Sequence, residues 1–414
     1  MYDHWVTVYT GIFLLLFALA ARLSAVKVMI FCFFFDFFCV YLLILFPALI
    51  SPLFVATTLS ATVCALLILM RNRVFFKDQS RTLTILIFAI FISYIAVRNI
   101  GQIYSLVFPI AINIWVFPLL FAMTGFTVYR NEILSLLSRF LVILPIISLP
   151  FAFYQSQRDA RIFIAQGFEY GKTVTNFVDG NIRAFGLSLT NFHFSLMCAL
   201  GLFFSIAILW NFIPSSINRR ILVLSVFAST IGLFLSTTRS GLVFSLAALL
   251  PLLYSRYKFV ISSLFVAILA IITLLVTSQT SNIALLNSSS LGSRFQLWRS
   301  LLDTDYWVLG AGIGSYGSVT RNGLLSETTQ RITDSMYAGV LIQFGIVGLL
   351  FFVAFLFHLF LTTNFIGRCV LLGFSATGFF LESWDYSIFT SVIFFMAFYP
   401  LNSGLFVKKI SIHP

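Results

Sequence analysis

Apolar stretches long enough to cross a bilayer recur along almost the whole chain, and that recurrence leaves little choice of fold. They fall near 5–21, 28–48, 53–70, 82–97, 104–127, 140–154, 189–213, 221–237, 241–254, 259–277, 336–361, 369–383 and 386–405. A helical span needs about 20 residues, so the shorter runs leave the count at about 12–13 transmembrane helices. With 60% apolar residues, 51 Phe and only 9% charged residues, the chain lacks the polar surface a soluble fold requires. The expectation is a single integral membrane domain over 1–414, all-α and polytopic.

The charges between the runs alternate. One set of loops carries Arg22, Lys27, Arg71, Arg73, Lys77, Arg81, Arg130, Arg139, Arg219, Arg220, Arg256, Lys258, Arg368, Lys408 and Lys409, which is 15 of the 25 basic residues. Their only acidic company is Asp78 and Glu132. By the positive-inside rule this set is cytoplasmic, with the C-terminus inside and, for thirteen spans, the N-terminus outside. The net charge of +12 is then a topology signal, and no nucleic acid is expected as a partner. The first run has no basic leader before it and no convincing A-x-A cleavage site, and it reads as a retained helix. The five cysteines all lie in apolar runs without C-x-x-C spacing and read as packing residues.

Two loops on the opposite face are long, 155–188 and 278–335, so function is expected there. Arg239, in Ser236-Thr237-Thr238-Arg239-Ser240-Gly241, sits between two apolar runs. Arginine at membrane depth is costly and usually faces a cavity or a partner, and its planar fork suits phosphate oxygens. The alternative is an interfacial side chain reaching lipid headgroups; the surrounding hydroxyls favour a ligand site. In the longer loop, Arg294 and Trp298 share a face of an amphipathic segment that also carries Arg299. It reads as a helix on the membrane surface, with its arginines either binding substrate or holding headgroups.

The run Gly310-Ala311-Gly312-Ile313-Gly314 formally contains G-x-G-x-x-G through Gly317, but no βαβ unit surrounds it. A glycine turn is the reading, lining the site or purely structural. Arg331, Asp334 and Tyr337 close the loop. Thr333 or Asp334 suits an N-cap of the next helix, and Asp334 is also a candidate general base. Arg183 and Lys172 in the first loop and His193 at the mouth of a span complete the candidates, although a lone histidine there is more often a packing residue. Asp36, inside a Phe-rich span, has no visible partner. No carboxylate-rich metal cluster or hydrolase motif stands out, so a reaction without metal or cofactor is the default.

Taken together, Thr237-Thr238-Arg239-Ser240-Gly241, Arg294 with Trp298, the Gly310–Gly314 turn, Tyr337 through Phe344-Gly345-Ile346-Val347-Gly348-Leu349-Leu350, and Arg183-Ala184-Phe185-Gly186 resemble the superfamily of O-antigen polymerases (Wzy-type) and O-antigen ligases. The likeness covers roughly residues 180–355. It implies a C-type glycosyltransferase fold, a bacterial inner membrane location and periplasmic chemistry without metal. The implied donor is an undecaprenyl-pyrophosphate-linked oligosaccharide, and the implied partners are membrane lipids and a chain-length regulator protein. On that reading Arg239, Asp334 and Arg294 are catalytic, and Arg183, His193, Arg331, Arg299, Lys172 and Tyr337 bind substrate. The ligase branch carries a histidine before the helix that follows the long loop. Here Asp334-Ser335 stands at that place and no histidine occurs in 278–335, which favours the polymerase branch. A ligase and a flippase for lipid-linked sugars are the alternatives; the long outer loop and the nearly charge-free spans argue against the flippase.

Overall fold

In hydrocarbon a helix is the open-chain structure that satisfies each backbone amide and carbonyl within its own segment, and helices form where the apolar runs predict them. The structure, a computed structural model, describes residues 24–38, 50–72, 79–98, 107–159, 177–178, 181–188, 190–257, 307–313, 335–379, 381 and 387–400. Over these the chain forms α1 (Ala25–Phe38), α2 (Ile50–Asn72), α3 (Gln79–Arg98), α4 (Val107–Met123) and α5 (Arg130–Ser156). A two-residue antiparallel pair follows, β1 (Phe177–Val178) on β2 (Asn181–Ile182). The order continues with α6 (Asn191–Leu209), α7 (Arg219–Leu235), α8 (Arg239–Arg256), α9 (Met336–Thr362), α10 (Phe365–Gly378) and α11 (Ser387–Phe398). The runs near 5–21 and 259–277 and most of the two long loops lie outside the described residues.

Among the described residues α5, α6 and α9 are long and apolar enough to cross a membrane. Shorter apolar helices lie within α2 and α3, run from Ile114 in α4 to Phe126, and make up α10 and most of α11. The protein is therefore an all-α polytopic membrane protein. Lipid is as apolar as leucine, so close packing rather than water exclusion must hold such helices together. α6 is the hub, packed on α5, α7 and α8; α8 packs on α10, α10 on α11, and α9 on α3. Aromatic rings join α3, α4 and α9: Trp115 and Phe91 meet Phe344 edge-on at centroid distances of 5.1 and 5.4 Å. Cys32, Cys64, Cys198 and Cys369 are buried free thiols, as packing residues should be.

Alternation of helix direction gathers four arginines at one end. Arg130, Arg219, Arg256 and Arg368 lie at the ends of α5, α7 and α8 and in the first turn of α10. Arg139 Nη2 reaches across to donate to Ser216 Oγ at 3.3 Å. Arg368 donates from Nε and Nη2 to the Phe360 and Leu361 carbonyls at 3.2 and 3.1 Å, where the negative end of α9 favours a cation. At the other end stand the N-termini of α6, α8 and α9 beside the C-termini of α5, α7 and α10.

Candidate functional site

The turn that joins α7 to α8 is built from short polar side chains that bond their own backbone. The Ser236 hydroxyl donates to the Leu233 carbonyl at 2.8 Å, and the Thr238 hydroxyl donates to the Ser236 carbonyl at 2.9 Å. Between them Thr237 takes φ +47°, a left-handed conformation that is a true outlier for a β-branched residue. Such strain costs about 1–3 kcal/mol and persists only where neighbours over-determine the backbone. Two neighbours do so here. Asn191 Nδ2 on α6 donates to Thr238 Oγ1 at 3.1 Å, and the Ala184 amide donates to the Leu235 carbonyl at 3.2 Å.

The consequence falls on α8. Thr238 occupies the N-cap position but makes no side-chain cap, because its hydroxyl is turned back to Ser236. The neighbouring helix starts differ: Thr190 caps α6 and Ser335 caps α9 through their hydroxyls. The first-turn amides of α8 thus have no side-chain cap of that kind, and Arg239 is the first residue of that turn. Beneath it the hydroxyls of Ser240 and Ser195 are buried without a hydrogen-bond partner among the described residues. α6 and α8 approach so closely there that a Cβ on Gly241 would lie 2.1 Å from Ser195 Oγ and 2.8 Å from its carbonyl oxygen.

Arg183 is brought to the same end by a buried glutamine. Gln155, in the last turn of α5, accepts the amides of Phe185 and Gly186 at 2.9 and 2.8 Å and donates to the Gly186 carbonyl at 2.9 Å. This clamp, with the Ala184 bond to Leu235, sets the half-buried Arg183 beside the α7–α8 turn. His193 lies in the first turn of α6, its backbone amide donating to Thr190 Oγ1 at 3.2 Å while Nδ1 sits 3.0 Å from the same oxygen. The imidazole is thereby part of a helix cap. On the far side, Thr377 Oγ1 lies 3.5 Å from the Ser240 carbonyl oxygen, and Ser335 donates to the Gly378 carbonyl at 3.1 Å. The N-termini of α6, α8 and α9 are therefore linked in one chain of polar contacts through the end of α10.

Tyr337 meets a structural demand. Its hydroxyl donates to the Ser375 carbonyl at 3.2 Å, and its ring packs on Phe379 at 4.7 Å. Arg183, His193, Arg239 and Tyr337 thus gather at one end of the bundle. Lys172, Arg294, Arg299, Arg331 and Asp334 lie outside the described residues. The sequence reading missed Gln155, Asn191, Ser195 and Ser335. Each is a polar residue inside or at the lip of an apolar run, and that was the available signal.

Three helix N-termini and two arginines at one end of a bundle suit an anion, since backbone amides and guanidinium forks both favour one there. The family described as O-antigen ligase matches residues 224–353. That segment runs from within α7, through the Thr237 turn and α8, into α9 past Gly345. The match supports the O-antigen ligase and polymerase superfamily. No curated protein matches the chain. The matched segment contains Arg239 and the start of α8.

Proposed function

We propose that the chain is a polysaccharide polymerase of the O-antigen type. It moves a glycan chain from undecaprenyl pyrophosphate to a sugar hydroxyl on a second lipid-linked repeat unit, at the periplasmic face of a bacterial inner membrane. The observation that carries this reading is Arg239 in the first turn of a helix that lacks a side-chain cap, behind a strained threonine, inside the matched segment. The bond from the anomeric carbon to the pyrophosphate oxygen breaks and negative charge grows on the leaving group. A guanidinium fork and the positive end of a helix beside that charge act where it develops. Arg183, whose neighbour Ala184 bonds the Leu235 carbonyl at the same end of the bundle, is the second candidate, and Arg294 and Arg331 are the loop residues that would join it.

The acceptor hydroxyl attacks the same carbon and its proton must go to a base. Asp334 directly precedes Ser335, the cap of α9, and is the candidate; His193, already engaged with Thr190, comes second. These charges make a metal unnecessary. Membrane lipids hold both carrier chains in one plane, which reduces the search to two dimensions, and a chain-length regulator would act on the same face.

The second reading is a ligase that passes glycan to a lipid A core. The matching family, described as O-antigen ligase, favours it, while the lack of any histidine in 278–335 favours the polymerase. Surface polysaccharide from a strain lacking the gene separates them. A core bearing one repeat unit, with the ladder gone, supports polymerisation. Bare core with long glycan accumulating on its carrier supports ligation and overturns the first reading.

A further inference from the structure

Helix α9 is broken in its upper part. Gly345 takes φ +68° and ψ −172°, a region open essentially to glycine alone. A break inside a span frees backbone groups that lipid cannot satisfy, so each needs a partner. Residues 307–313 supply them: the Ala311 amide donates to the Ile342 carbonyl at 2.7 Å, the Gly312 amide to the Gln343 carbonyl at 3.0 Å, and the Ile346 amide to the Trp307 carbonyl at 2.8 Å. The Phe344 carbonyl accepts from the Tyr94 hydroxyl of α3 at 3.1 Å.

The fit is backbone on backbone. A Cβ on Gly345 would stand 2.1 Å from the Val308 oxygen, and one on Gly310, itself at φ +77°, would stand 2.3 Å from the Gln343 oxygen. At about 1.5 Å per residue, Gly345 lies well below the capped end of α9 at Ser335, toward the middle of a core of about 30 Å. Trp307, Val308 and Leu309 are 45, 42 and 48% exposed, whereas Ile313 is buried. Three successive exposed apolar side chains cost little in hydrocarbon and would be misplaced in an aqueous loop.

We infer that residues 307–313 re-enter the membrane and dock into the break of α9, and that Gly310 and Gly345 are positioning residues for the transfer reaction. The docked turn fixes the upper segment of α9, Met336–Phe344, and with it the Ser335 end that borders the site. The positioning role rests on the glycosyl-transfer reading; the docking does not.

The test uses an Ala311→Cys, Ile342→Cys pair, bridged by a short bis-thiosulfonate reagent in native membranes, and the single variants Gly345→Ala and Ala311→Cys. The pair should cross-link within one chain, and the cross-linked protein should keep transfer activity within about twofold. Single Ala311→Cys should resist a membrane-impermeant maleimide until the protein is denatured. Gly345→Ala should lower kcat roughly 10–100-fold, the scale expected of a small misplacement. Its KM for the lipid-linked donor should change less than about twofold, and bridging of the pair in that background should fall in parallel. Rapid maleimide labelling at 311, or no bridging, overturns the docking. Wild-type kcat in folded Gly345→Ala overturns the positioning role. If the unmutated protein transfers no glycan while the bridge forms, the functional reading has failed and the docking stands.

Discussion

At the scale of single residues, the strain at Thr237 and the open start of α8 belong to one arrangement. Turning the Thr238 hydroxyl back to Ser236 leaves α8 without a cap from Thr238, and the left-handed Thr237 accompanies that reversal. Thr237→Gly should therefore relieve strain and stabilise the detergent-solubilised protein by up to about 1 kcal/mol, read as a rise in thermal midpoint. A fall instead would mean that the threonine side chain contributes packing that outweighs the strain. Gly241→Ala should destabilise, because its new methyl meets both Ser195 Oγ and the Ser195 carbonyl. Overpacking of this kind costs about 1–3 kcal/mol. Adding Ser195→Gly should recover part of the loss but not all, since the carbonyl contact remains.

At the scale of elements, what was legible in the sequence was whatever depends on runs of apolar residues. The apolar runs at 189–213, 221–237 and 336–361 became α6, α7 and α9 within a few residues, because span length and hydropathy dictate the helix. The run at 140–154 marked only the later part of α5. That helix begins at Arg130, since Arg130 and Arg139 can extend toward the polar end, with Arg139 reaching Ser216. Arg239 was legible because a charge between two apolar runs must be accounted for. The Gln155 clamp was not, since nothing local says that a polar residue at the end of one span will satisfy amides about 30 residues on. The break at Gly345 was hidden for a related reason: glycine is common in membrane helices, and only the arrival of the 307–313 backbone shows that this one is used. Gln155→Leu should leave the Phe185 and Gly186 amides without their acceptor, at about 1–3 kcal/mol for each buried orphan. Protease cutting within 181–188 should rise and transfer activity should fall. Unchanged cutting would mean that the Ala184–Leu235 bond suffices to hold the segment.

At the scale of the whole molecule, the two ends differ in kind. One carries Arg130, Arg219, Arg256 and Arg368; the other carries three helix N-termini and the α7–α8 turn. The proposed periplasmic reaction requires the first to face the cytoplasm, as the positive-inside rule expects. Cysteine placed at Ser216 should then react with an impermeant maleimide only from the cytoplasmic side, and cysteine at Gln157 only from the other. The reverse pattern would move the reaction to the cytoplasm and remove a periplasmic acceptor from consideration. In the proposed reaction Arg239 and the start of α8 hold the charge that develops on the leaving pyrophosphate. Its most direct measurement is the polysaccharide ladder of a deletion strain complemented with Arg239→Ala or Arg239→Lys at wild-type membrane levels. Loss of one aligned donor to developing charge costs about 10²–10³ in rate. Arg239→Ala should therefore give core with a single repeat and no ladder. Arg239→Lys, which keeps the charge but not the fork, should give a short, faint one. A full ladder from Arg239→Ala would remove Arg239 from the reaction and leave the start of α8 a structural turn.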